Sequence, residues 1–408
     1  MVQVKIYLTS KQCILVAEDY FHVAKRSEHG IFRVTLFPES PLSYSGGGER
    51  LVMLIYDFLK NTGIDIGIIE NTKKERPDLI SKQNPNLDIV KIKFERFGFI
   101  KFLYQDFPPL NIIPTDENAI SLIFLRRVPP RSVLRQLAKS NSKVVFCLHG
   151  TALEKIIITN LIIIAHQLLM RIQLRNLAHF TRNHIFVQSL IPSLTSYLLT
   201  HGADSKNIFT IENQFESEVT FPERNDEEFQ VTFIGRMEDL QKGINRLKKV
   251  VQFVQKYGKN IKFNIIGTGK DGRILNGLEG EVKIFNGIDD QTKNKIVASS
   301  NLALVTSNLE PYPRVVLEFL TSGVPVISTP ASGPAYILSK DLSFGKVVSF
   351  SAKSLAKSII SCYQEWERDK ALYFSKRKDL FYKARKMFNS KNMLESYRNL
   401  IIQVGTIK

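Results

Sequence analysis

Short apolar, β-branched runs alternate along this chain with longer amphipathic stretches, the pattern of parallel sheets built from β-α-β units. In the first half the predicted strands are 31–37, 64–70, 120–124, 143–148 and 184–188. In the second half they are 230–234, 262–266, 282–285, 302–305 and 325–328. These runs are continuously apolar rather than alternating, which predicts strands covered on both faces. Between the two sets, 216–228 (ESEVTFPERNDEE) is polar and acidic and reads as a linker. The predicted organisation is therefore a leading segment 1–30 with no assigned role, a domain over 31–215, the linker 216–228, a second domain over 229–375 and a basic tail over 376–408. From Arg368 onward Leu, Tyr, Phe and Met recur at helical spacing, which predicts one or two amphipathic helices.

Length agrees with this division, since 408 residues exceed what one compact core usually holds. At 44% hydrophobic and 23% charged residues the chain is too apolar to be disordered. Cys13, Cys147 and Cys362 are scattered, which excludes a disulfide framework or zinc knuckle and fits a reducing cytosol. A net charge of +17 implies a polyanionic partner: nucleic acid, an anionic membrane face or a phosphorylated small molecule. The charge-free run 156–170 is shorter than the ~20 residues of a spanning helix, and 183–203 carries Pro192 and many polar groups. The first residues lack the apolar core of a secretory signal, so the expected location is the cytoplasm.

Four motifs carry chemistry. Gly46-Gly47-Gly48-Glu49-Arg50 follows the first predicted strand and opens an amphipathic stretch, where a helix N-terminus favours an anion. Gly235-Arg236, with Lys242-Gly243 following, places a forked donor and a point charge at a strand's carboxyl edge, a pairing suited to a diphosphate. Gly267-Thr268-Gly269 follows another strand, and Gly272 completes the letters of a dinucleotide fingerprint, with Asp289 or Asp290 as its acidic partner. Lastly, Glu310-Pro-Tyr-Pro-Arg-Val-Val-Leu-Glu318 runs from a loop into a helix predicted from Val315 to Ser322 and stopped by Gly323. The amides of Arg314 and Val315 form an anion site there, and the two carboxylates reach different parts of one elongated ligand.

Taken together and in this order, the motifs resemble family 4 glycosyltransferases of the GT-B type over most of 31–400. The resemblance implies an α/β fold of two Rossmann-like, doubly wound parallel-sheet domains facing a deep cleft. It also implies transfer of a sugar from a nucleoside-diphosphate sugar with retention of anomeric configuration. His149 matches the family's cleft histidine and Asn213 an asparagine closing the N-terminal domain. By the same resemblance Arg236 and Lys242 face the leaving diphosphate, assisted by Gly46, Gly47, Gly267 and the amides of Arg314 and Val315. Glu318 then takes the ribose, while Glu310 and His149 take the donor sugar. Pro311 stands where the family usually has Gly, and Gly150-Thr151 where it usually has an acidic residue. No Asp-x-Asp occurs in the chain, so no metal or other cofactor is expected.

The positive charge has a further reading. Residues 156–170 followed by Arg171, Arg175 and Arg182 fit a helix lying on an anionic membrane, which suits a lipid-linked or glycan acceptor. Two rivals are a sugar-nucleotide 2-epimerase, which should lack the Glu-x7-Glu pattern, and a nucleic-acid-binding protein. The latter needs exposed aromatics among basic residues, which only 368–398 approaches. Nucleic acid is therefore not the expected partner, and the resemblance implies that 376–408 is the helix crossing back to the N-terminal domain.

Overall fold

The computed structural model describes residues 33–38, 47–71, 89–92, 95–97, 105–154, 161–181, 184–215, 219–222, 227–258 and 260–406. The leading segment 1–30, Gly46 and residues 156–160 of the charge-free run lie outside these.

Two parallel sheets form the frame. Among the described residues the N-terminal sheet has seven strands: β1 (Arg33–Phe37), β2 (Asp65–Asn71), β3 (Ile89–Ile92), β6 (Ala119–Phe124), β7 (Lys143–Cys147), β8 (Ile185–Ser189) and β9 (Ile208–Thr210), in the order β3-β2-β1-β6-β7-β8-β9. A short antiparallel pair, β4 (Glu95–Phe97) and β5 (Gln105–Phe107), stands apart. The C-terminal sheet orders its six strands β12-β11-β10-β13-β14-β15, namely β10 (Phe229–Ile234), β11 (Ile261–Ile266), β12 (Val282–Phe285), β13 (Leu302–Val305), β14 (Val326–Ser328) and β15 (Gly345–Val347). Both orders run outward in both directions from the first strand, the doubly wound topology, and both put a switch point beside it. Every residue of β6, β7 and β8 is buried, as their continuous apolar runs require.

The ten predicted strands all appear, within a residue or two of their predicted ends. The added strands are short or lie at sheet margins, where little apolar patterning is needed: β9 and β15 have no fully buried residue. Helix α1 (Gly47–Asn61) buries Leu51, Val52, Ile55 and Leu59 against the N-terminal sheet.

The tail divides at Phe388. Helix α11 (Lys370–Met387) packs on the C-terminal domain against α8 (Arg314–Thr321). Helix α12 (Ser390–Thr406) crosses to the N-terminal domain and buries Met393, Leu394, Tyr397, Leu400, Ile401 and Val404 in the core shared with α1 and β6. Tail aromatics thus go into the interior: Tyr373, Phe381, Phe388 and Tyr397 are buried and the half-buried Phe374 ring lies tilted against Phe221, leaving Tyr382 exposed. Tail cations cap helix ends. Arg377 donates to Gly323 O at 2.9 Å and Ala298 O at 3.3 Å, and Arg385 Nε to Thr321 O at 3.0 Å. Lys143 in turn donates to Gly405 O at 2.8 Å, near the end of α12. Cations at helix C-termini are favoured by the orphan carbonyls there, so part of the net charge is structural.

Candidate functional site

In open α/β sheets the site-forming loops leave the carboxyl ends of the strands. After β10 the chain turns through Gly235 and Arg236 into a four-residue helix α5 (Asp239–Lys242), ending at Gly243 with φ +67°. A Cβ on Gly243 would come within 2.3 Å of Thr306 O, so only glycine lets this loop sit against the end of β13. Thr306 donates its hydroxyl to Lys242 O at 2.7 Å, and Arg246 donates to Thr306 O, Asn308 Oδ1 and Phe350 O at 2.6, 2.8 and 2.7 Å. This scaffold brings Lys242 Nζ onto Glu310 Oε2, with Ser307 Oγ donating to the same oxygen at 3.2 Å. Arg236 is half-exposed and donates to Gln241 Oε1 at 2.7 Å. Arg236, Lys242 and Glu310 therefore share one sheet edge.

Pro313 caps α8, whose first amides belong to Arg314 and Val315. The Arg314 side chain is held at the cleft with its guanidinium 5.4 Å from the Phe215 ring centroid, and burial lowers its pKa. One turn on, Glu318 pairs with Lys293 at 3.3 Å, on α7 (Asp290–Ser299). Lys293 also lies 3.5 Å from Asp290, which pairs with Arg50 at the start of α1. An ionic chain Arg50–Asp290–Lys293–Glu318 thus spans the two domains. Burial opposes ionisation of Asp290, but Arg50 and Lys293 outweigh it and hold its carboxyl low.

His149 follows β7 from the opposite domain. Its Nε2 lies 3.0 Å from Gln188 Oε1 and 3.1 Å from the Tyr397 hydroxyl, and its ring meets Phe124 edge-on. Burial lowers its pKa to about 4, the Gln188 bond opposing this and the charge of Arg314 adding to it. Five residues on, Glu154 reaches across the cleft: it accepts from Glu310 N at 3.0 Å, Ser332 N at 2.7 Å and Ser332 Oγ at 3.0 Å. Burial raises its carboxyl to about 7 despite these donors, with Glu310 adding to the rise. Glu212 makes a second crossing, accepting from Tyr312 at 3.1 Å, Lys340 at 2.9 Å and Tyr336. Asn213 beside it is buried.

Gly267 needs a different account from the one its motif suggested. Its amide donates to Phe285 O at 3.0 Å, and a Cβ on it would come within 1.9 Å of Gly235 O. The Gly267–Gly269 loop is glycine because it lies on the Gly235–Met237 backbone, not because its amide is open to an anion. Nor does the fingerprint close: Gly272 opens a four-residue 3-10 turn, Asp289 caps α7 and Asp290 pairs with Arg50. Gly47 begins α1 as an anion-binding turn requires, whereas Gly46 lies outside the described residues. Among the described residues no three His, Cys, Asp or Glu side chains gather as a metal site.

Sequence reasoning missed Glu154, Glu212, Lys293, Gln188 and Tyr397. Glu154 and Glu212 are ordinary charged residues until the fold brings them across the cleft, as is Lys293 until it sits between Asp290 and Glu318. Tyr397 is 248 positions from its histidine partner.

Two domains of this topology, joined by contacts between the carboxyl-end loops of both sheets, define the GT-B class. Residues 214–387 match the model of the family described as glycosyl transferases group 1. A curated relative, an uncharacterized glycosyltransferase of Methanocaldococcus jannaschii, is 23% identical over 185 residues, 43% of this chain and 47% of the relative. The match thus spans about half the relative's length. Among solved structures, sucrose-phosphate synthase of Thermosynechococcus elongatus superposes with a TM-score of 0.68 at 17% identity, covering 91% of this chain and 99% of that one. The Anabaena protein HepE, solved with UDP and glucose, gives 0.65 at 16% over 91% and 99%. A glycosyltransferase from Rickettsia africae gives 0.65 at 17% over 93% and 100%. At such identities these likenesses speak to the fold.

Proposed function

We propose that this chain is a metal-independent glycosyltransferase that moves a sugar from a nucleoside-diphosphate sugar to an acceptor with retention of configuration. The observation that carries the reading is the meeting of Arg236, Lys242 and Glu310 at one strand edge, with Glu318 just inside the neighbouring helix. When the bond from the anomeric carbon to the diphosphate oxygen breaks, charge develops on that oxygen. Arg236, Lys242 and the amides of Gly47, Arg314 and Val315 supply fixed positive ends for it. Glu318 accepts the ribose hydroxyls, and Glu310 and His149 contact the donor sugar. The acceptor oxygen forms its bond on the face the leaving group vacates and passes its proton to the departing phosphate. HepE, solved with UDP and with UDP-glucose, makes uridine diphosphate sugars the first donors to test.

The acceptor belongs to the same proposal. Helix α3 (Leu161–Phe180) exposes Leu161, Ile162, Leu168 and Ile172 on one side, with Arg175 exposed at the far end of the stripe, while Ile163, Met170 and Leu174 face the core. An apolar stripe beside Arg175 suits an anionic lipid surface carrying a lipid-linked acceptor on the cytoplasmic side, whereas Arg171 donates to Glu154 O at 2.8 Å. Among the described residues no helix is long and apolar enough to cross a membrane.

Purified protein incubated with a panel of nucleotide sugars tests the reading. One donor should be slowly hydrolysed to free sugar and nucleoside diphosphate, with EDTA present and absent alike. Release of an epimerised sugar would select the epimerase alternative instead. Loss of all turnover with EDTA, restored by Mg²⁺ or Mn²⁺, would contradict the role given to the two cations.

A further inference from the structure

His149 is held by two residues that the glycosyl-transfer scheme does not use. Gln188 is fully buried on β8, and its Nε2 donates to Ser189 O at 2.9 Å and Ile211 O at 2.8 Å. Those two carbonyls accept only, so the amide cannot be flipped, and Oε1 is the atom presented to His149. An acceptor 3.0 Å from His149 Nε2 requires a proton on that nitrogen. The Tyr397 oxygen, 3.1 Å from Nε2, shares the same proton as a second acceptor. Tyr397 comes from α12, so the last helix of the chain completes the setting of a residue on β7's loop. Both partners are fully buried while His149 is half-buried. The Nε2 edge therefore faces the interior and Nδ1 is left for the cleft.

We propose that Gln188 and Tyr397 are positioning residues that lock His149 as the neutral Nε2–H tautomer and present Nδ1 to bound substrate as a hydrogen-bond acceptor. In that form His149 recognises a hydroxyl that donates, and it has no proton to give a leaving group. That the hydroxyl belongs to a sugar rests on the glycosyl-transfer reading; the tautomer does not. The groups around the ring agree. Arg314 on α8 opposes a second positive charge, and burial lowers the imidazole toward about 4. Burial pushes the Cys147 thiol and the Tyr397 phenol up, so neither supplies a negative charge to stabilise imidazolium.

Imidazole nitrogen NMR on the ¹⁵N-labelled full chain tests this without any substrate. His149 should show one protonated Nε2 and an unprotonated Nδ1 from pH 8 down to pH 6, with no titration near the ordinary 6.5. A midpoint near 6.5, or an Nδ1–H pattern, overturns the proposal. Gln188→Glu puts a carboxylate where Oε1 lies and should raise the midpoint by two units or more. Should that buried charge prevent folding, Tyr397→Phe keeps the aromatic ring in the core and removes only the shared acceptor. It should let a measurable share of the Nδ1–H tautomer appear, whereas a tautomer ratio identical to wild type would show that Tyr397 sets nothing. Absence of glycosyl transfer would leave these spectra unchanged, so the two readings fail separately.

Discussion

Lys242 and Glu310 form an ion pair in which the cation proposed for the diphosphate rests on the carboxylate proposed for the sugar. Both are largely buried, whereas Arg236 is half-exposed, and this separates two variants that sequence alone would treat alike. Lys242→Ala and Arg236→Ala should each lower turnover by about 10²–10³, the loss typical of one transition-state electrostatic partner. Only Lys242→Ala should also lower the melting temperature, because it strands a buried carboxylate, a change that costs roughly 3–5 kcal/mol when nothing relaxes. Equal melting temperatures for the two variants would contradict the buried pair. Glu154 carries a pH effect. Its carboxyl is raised from 4.5 to about 7 in the folded chain, chiefly by burial. Its contribution to stability is thus complete below 4.5 and is lost as pH rises through about 7. Melting temperatures at pH 5.5 and 8.5 should show this loss in the wild type and much less of it in Glu154→Gln, whose amide does not titrate.

At the scale of elements, the apolar runs were legible because strands buried on both faces leave a continuous signature, and β6, β7 and β8 are such strands. The helix start before Glu318 was legible too, since Pro313 and Gly323 bracket it. The spacing gave α12 as a helix, and its crossing was expected only from the resemblance, over 376–408, whereas the structure begins it at Ser390. Nothing local says that a basic tail inserts Tyr397 and Ile401 into the core of the other domain, because that choice depends on a surface left open between α1 and β6. Each large apolar side chain so buried contributes roughly 1.5–3 kcal/mol, and a domain has only about 5–15 kcal/mol in total. Ending the chain at Asn389 should therefore expose the N-terminal core and yield aggregated or protease-sensitive protein, read by limited proteolysis. A truncated chain as resistant as the full one would contradict that packing. The exposed stripe of α3 predicts flotation with anionic liposomes at low salt and release as salt rises, since surface attraction is worth roughly 1 kcal/mol per cation and is screened. Leu168→Glu with Ile172→Glu should abolish flotation; unchanged flotation would move the contact elsewhere.

For the molecule as a whole, the Glu-x7-Glu spacing and the strand-Gly-Arg…Lys-Gly segment were readable as motifs, but their joint geometry was not. Domain-crossing carboxylates Glu154 and Glu212, and the chain from Arg50 to Glu318, exist only once two sheets face each other. They tie the N-terminal domain directly to the loop and helix assigned to the donor. In the proposed scheme this loop and helix divide one ligand, ribose to Glu318 and sugar to Glu310. Calorimetric titration of uridine diphosphate, and of other nucleoside diphosphates should it not bind, into wild type, Glu318→Gln and Glu310→Gln tests that division directly. Glu318→Gln should weaken binding about tenfold or more, the loss of an acceptor bonded to hydroxyls. Glu310→Gln should bind as well as wild type or better, because Lys242 is released toward the diphosphate, and should lose turnover on the nucleotide sugar. Loss of nucleotide binding in Glu310→Gln with normal binding in Glu318→Gln would contradict the account.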